Sequence, residues 1–137
     1  VDVGPVIFYN VGQAARTPAT FFERRDGGYP TYKTVIAVKA SATVAIVADE
    51  PRRLGFNYDK SGDFVAELAD VPSAVTFEAC PPSEPRFSGD GSVGATTEFN
   101  GGFVSAGPGC RSFRVIPGQG GDPIPVRLGF GTEESQC

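Results

Sequence analysis

The sequence predicts an all-β fold, an antiparallel β-sandwich of immunoglobulin-like type with about eight or nine short strands. Three observations predict it. Apolar and polar residues alternate with a period of two over most of the chain, and long helical periodicity is nearly absent. Among 137 residues, 18 are Gly and 12 are Pro, and they gather at the ends of the alternating runs, where a sandwich needs its turns. A closed small barrel is the second choice. The length suits one domain, residues 1–137, and folding a chain of this size buries about two-thirds of its surface.

The elements follow in order. Between Val11 and Arg25 the loose spacing of Ala14, Ala15, Phe21 and Phe22 allows a helical turn, which Pro18 interrupts. Tyr32, Thr34, Ile36 and Val38 alternate with Lys33, Val35, Ala37 and Lys39 as one strand, and past Ala40-Ser41 a second strand turns Val44 and Ile46 inward. Leu54, Phe56 and Tyr58 form another run, closed by a turn from Asp59 to Asp63, and Phe64 starts a short strand. Val75, Phe77 and Ala79 form a strand stopped at Cys80-Pro81-Pro82, because proline cannot donate to a ladder.

Residues 81–94 read as a long surface loop with at most a short strand at Arg86-Phe87-Ser88. Phe99 to Val104 is extended, and Gly101-Gly102 inside it marks a bulge or a close approach of another backbone. Gly107-Pro108-Gly109 turns the chain. Phe113 and Val115, a loop from Pro117 to Pro123, and then Ile124, Val126, Leu128 and Phe130 make a hairpin.

Composition narrows function. The chain has no His, Trp or Met, which removes Ser-His-Asp and Cys-His catalysis, histidine metal sites and tryptophan sugar platforms. Twelve Lys and Arg against sixteen Asp and Glu give a net charge of −4, and the basic residues form isolated pairs, Arg24-Arg25 and Arg52-Arg53. A nucleic-acid partner is not expected. The longest apolar tract, Val35 to Ala48, contains Lys39 and is too short for a membrane helix, so no span is expected within residues 1–137, although a signal or tether can precede Val1.

Cys80, Cys110 and Cys137 sit in no metal-ligand spacing and suit one disulfide plus one odd thiol, which implies an oxidising compartment. Loop entropy separates the three pairings by under about 1 kcal/mol and does not choose among them. An antiparallel hairpin of the last two runs brings Cys110 and Cys137 to the same end of the sheet, and this pairing is preferred, with Cys80 buried or free.

Several segments together resemble a family. Gly4-Pro5-Val6, Ala14-Ala15 leading to Phe21-Phe22-Glu23, Tyr29-Pro30 and Lys33 are joined by Phe77-Glu78-Ala79-Cys80-Pro81 and Phe99-Asn100-Gly101-Gly102-Phe103. Gly107-Pro108-Gly109-Cys110 and Leu128-Gly129-Phe130-Gly131 ahead of Cys137 complete the set. This pattern, over most of the chain, resembles the uncharacterised small secreted or membrane-anchored envelope proteins of actinobacteria. The resemblance implies an extracellular or envelope location and transfers no activity. The present chain differs in placing Thr132 to Gln136 between Gly131 and Cys137.

Each candidate site competes with a plainer role. Asp59, Asp63 and Asp90 suit turns better than a cation that wants six to eight oxygens, and no metal or cofactor is expected. Glu67, Glu78 and Glu98 lie on or beside strands as members of a polar outer face, so a carboxylate hydrolase is the third hypothesis. No Ser-x-x-Lys spacing involves Lys33, Lys39 or Lys60, and no catalytic residue is assigned. The best contact surface is the segment of Tyr29 and Tyr32 beside Arg24 and Arg25. The leading hypothesis is a non-enzymatic extracellular or envelope module that contacts an envelope protein or polymer, with binding of cell-wall glycan as the alternative.

Overall fold

A computed structural model describes residues 1–58, 64–82, 95–118, 120–133 and 136–137. The turn expected at 59–63, the short strand at 86–88 and the aspartates Asp59, Asp63 and Asp90 lie outside the described residues. The fold is an all-β antiparallel sandwich. Its strands begin with β1 (Asp2–Val3), β2 (Val6–Phe8), β3 (Tyr29–Lys33), β4 (Ile36–Lys39), β5 (Thr43–Ala48) and β6 (Leu54–Asn57). They continue with β7 (Val65–Ala66), β8 (Ala74–Glu78), β9 (Thr96–Phe99), β10 (Gly102–Ser105), β11 (Gly109–Pro117) and β12 (Ile124–Phe130). Short 3-10 turns at Val11–Arg16 and Ala19–Phe22 flank Pro18, as the spacing there predicts.

Hydrogen bonding groups the strands into three four-stranded sheets, in the orders β1-β2-β4-β9, β6-β10-β3-β7 and β12-β11-β5-β8. An immunoglobulin domain has two sheets. Among the described residues the count exceeds the expected eight or nine for two reasons. Asp2–Val3 and Val6–Phe8 form strands in a segment too short to show alternation, and two runs that read as single strands each divide between sheets.

That division explains Gly101-Gly102. The β3–β4 run pairs with the β9–β10 run in one unbroken register, from Lys39 opposite Thr96 and Ile36 opposite Phe99 to Lys33 opposite Gly102 and Thr31 opposite Val104. The ribbon turns from one sheet into the next at Thr34, whose N–H donates to the Gly101 carbonyl at 3.0 Å. Strands that change sheets make the corners of a sandwich. A Cβ on Gly101 would lie 2.5 Å from the Asn57 carbonyl oxygen, and one on Gly102 would lie 2.3 Å from that of Tyr32. The glycines therefore mark close backbone approach, and with the register unbroken there is no bulge.

Alternation delivers the core. Ile36, Val44, Ile46, Leu54, Phe56, Phe77, Phe113, Val115 and Phe130 are all buried. Phe8, Phe103 and Phe113 bring the three sheets together edge to face, with ring centroids 5.5 to 6.1 Å apart, and Phe56 packs on the last two at 5.4 and 6.0 Å. Such pairs add about 0.5–1.5 kcal/mol each beyond the area they bury.

The hairpin of β11 and β12 forms in the expected place, with Cys110 opposite Gly129. Beyond Phe130 the chain reverses at Gly131, with φ of +59°, and Cys137 bonds Cys110 across a Cα separation of 5.5 Å. Cys80 is a half-buried free thiol. Among the described residues no helix is long and apolar enough to cross a membrane.

Candidate functional site

β3 carries the expected contact residues, and its pleat separates them. Tyr29 and Tyr32 are three positions apart, an odd spacing, so their side chains emerge on opposite faces. The expectation of one surface holding both tyrosines is corrected by that parity, which was already present in the sequence.

Tyr32 faces inward. Its ring packs against Phe21, Phe22 and Phe130 at 5.9 to 6.4 Å, and its hydroxyl donates to the Asn10 carbonyl at 2.9 Å. Partial burial raises its pKa, since the phenolate is the form that loses hydration. Tyr32 closes one end of the core.

Tyr29 faces outward with the two arginines beside it. Arg24 and Arg25 precede a tight reversal in which the Arg25 N–H donates to the Gly28 carbonyl at 2.7 Å, with Gly28 at φ of +126°. A Cβ on Gly28 would meet the Ala66 carbonyl oxygen at 2.2 Å, so this turn lies flat against β7. The Arg24 guanidinium sits 5.6 Å from the centre of the Tyr29 ring, and that of Arg25 sits 5.7 Å from the centre of Phe21. Arg24 also grips both oxygens of Glu67, one bond at 2.8 Å, and this pairing holds the Glu67 carboxyl below its usual range.

The structure adds a residue that sequence reasoning placed in a strand. The Thr31 N–H donates to the Phe64 carbonyl at 2.6 Å, which extends the β3–β7 ladder by one pair and sets Phe64 opposite Thr31. On that register Phe64 shares its face with Tyr29, and it is 80% exposed. A single exposed aromatic is ordinary by itself, and what distinguishes Phe64 is its place on one face with Tyr29 and the arginine stacked there. Nothing in local spacing separates Phe64 from the buried phenylalanines. The face thus comprises Phe64 and Tyr29 with Arg24 and Glu67, and Arg25 at its border with Phe21.

Arg111 is the other residue that sequence reasoning passed over. It lies on the inward parity of β11 with Phe113 and Val115 and is 1% exposed. Its guanidinium donates to the carbonyls of Cys110 and Ala106 at 2.8 Å, Gly107 at 2.9 Å and Arg53 at 3.2 Å. Burial pulls its pKa down, and neighbouring Arg53 adds to this while Glu50 opposes it. A charge on the apolar parity of a strand was the available signal. The arginine wires the turn of residues 106–110 to the end of the sandwich, a structural role.

Of the strand carboxylates, Glu67 is bound to Arg24, and Glu78 and Glu98 lie on β8 and β9 in different sheets. Among the described residues no group of three His, Cys, Asp or Glu side chains could hold a metal ion. No protein-family model matches this chain, and no curated protein or solved structure matches it.

Proposed function

We propose that the chain is a non-enzymatic extracellular or cell-envelope module that works by contact with another envelope protein or polymer. The observation that carries this reading is Phe64, 80% exposed, beside Tyr29 with its stacked Arg24. Aromatic and arginine side chains supply most binding energy at protein interfaces, and an exposed phenylalanine gives such a contact its apolar centre. The Cys110–Cys137 bond suits an oxidising location. Catalysis is not part of the reading, because the chain lacks histidine and its Glu67 carboxylate is taken up by Arg24.

The test is capture of envelope proteins and polymers on the immobilised domain, with Phe64→Ser and Tyr29→Ala as paired controls. Specific capture by the parent that falls at least about tenfold in both variants, with melting temperatures unchanged, supports the reading. Capture indifferent to both substitutions, or none at all, refutes it.

A further inference from the structure

Among the described residues, the sheet β12-β11-β5-β8 ends on a strand whose outer edge is open. The Ala48 N–H donates to the Ser73 carbonyl and the Ala79 N–H to the Ala42 carbonyl, each at 2.9 Å. With Val44 opposite Phe77 and Ile46 opposite Val75, these bonds fix which residues face β5, namely 73, 75, 77 and 79. The backbone groups of Ala74, Thr76 and Glu78 point the other way, and among the described residues nothing pairs with them. All three residues are exposed.

The open stretch has defined ends. The Pro72 carbonyl accepts from the Phe56 N–H at 2.8 Å, and the Cys80 N–H donates to Thr97 Oγ1 at 2.9 Å. Three of the other edges are guarded: β1 and β7 are two residues long, and β12 carries Pro125 and is tied beyond Phe130 by the Gly131 N–H to Ala14. The β8 sequence, Ala-Val-Thr-Phe-Glu, has neither proline nor lysine and is rich in strand-forming residues.

We infer that β8 is a self-association edge, at which two copies of this chain pair their β8 strands antiparallel about a two-fold axis through Thr76. The register follows from the free groups. Centring on Thr76 uses every one of them, placing Ala74 opposite Glu78 of the second copy and Thr76 opposite Thr76. Centring one residue either way brings in Pro72, which has no N–H, or Cys80, whose N–H is engaged. The same register opposes no like charges: each glutamate meets an alanine, and threonine pairs are favourable across strands. Outward backbone groups placed symmetrically about Thr76 are suited to a second copy of the same edge. A strand pair alone buries less than the roughly 1,000 Å² of a stable interface, so the association is weak, with a dissociation constant on the order of 10⁻⁵ to 10⁻³ M.

The experiment is sedimentation velocity on the oxidised protein from about 10 µM to 1 mM, within the range that affinity sets, together with amide hydrogen exchange at both ends. Expected are a rising dimer fraction and new protection at Ala74, Thr76 and Glu78, whereas Val75 and Phe77 are protected throughout. Thr76→Pro removes an N–H that β5 does not use and abolishes the dimer. Thr76→Lys sets two cations opposite each other and weakens it at least about tenfold, which decides the matter should the proline variant fail to fold. Ala74→Lys faces Glu78 of the second copy and tightens the dimer several-fold. A monomer throughout the range overturns the inference. So does a dimer that Thr76→Lys leaves intact, or one whose new protection lies away from β8.

Discussion

Replacing Arg111 with methionine keeps most of its apolar stem and removes the guanidinium. Carbonyls of Arg53, Ala106, Gly107 and Cys110 then lose a donor held at 2.8 to 3.2 Å. Each bond to a charged donor contributes about 1.5–3 kcal/mol, and a carbonyl left dry costs about 1–3 kcal/mol. The turn at 106–110 is half-exposed, so water reaches part of this set, and the lower end of those ranges applies to it. A loss of about 3–5 kcal/mol results, and at this chain length that lowers the melting temperature by about 10–20 °C. Arg111→Lys retains the charge without the planar fork and recovers less than half of the loss. The assay is reversible thermal unfolding followed by far-ultraviolet circular dichroism, with urea unfolding as a second measure. A loss below about 1 kcal/mol in the methionine variant would refute the reasoning, because the carbonyls would then be satisfied without the arginine.

Further outcomes follow from other parts of the molecule. Cys137→Ser opens the loop back to Cys110 across a sequence separation of 27, and chain entropy sets the loss near 3–4 kcal/mol, readable as a lower urea midpoint that reductant no longer changes. Gly101→Ala drives a methyl to within 2.5 Å of the Asn57 carbonyl oxygen and costs about 1–3 kcal/mol in the same assay. Phe103→Ala removes a ring that packs against Phe8, Phe56 and Phe113 and costs about 3–5 kcal/mol. The carboxyl of Glu67 titrates below its usual range, so its pairing stabilises the fold above the unfolded-state pKa and is lost as pH falls through the folded one. Titration of the Glu67 carboxyl by NMR should show the midpoint rising in Arg24→Gln; an unchanged midpoint would leave the lowering without its cause.

The contact face was legible only in part. Tyr29, Arg24 and Arg25 stood out because aromatic and basic residues sit together beside a glycine turn, and the structure keeps them together. Tyr32 lies near them in sequence, but its odd spacing from Tyr29 puts it on the core side. Glu67 and Phe64 reach the face through the β3–β7 ladder, a pairing that local pattern does not encode.

Fold class, most of the inward-facing residues and the last hairpin are legible in the chain alone. Period-two alternation is a local property, and water sorts its two faces whatever the strands later pair with. In the sequence the glycine pair inside Phe99–Val104 marks a bulge or a close approach of another backbone, and the unbroken register chooses the close approach. Tertiary pairing sets the rest: one ribbon turns at Thr34 and Gly101 to serve two sheets, Arg111 reaches the Arg53 carbonyl 58 residues away, and among the described residues β8 ends its sheet with unpaired groups. Those outcomes rest on which strands lie side by side. Partners far apart in sequence meet through shape and hydrogen-bond geometry, which no window along the chain contains.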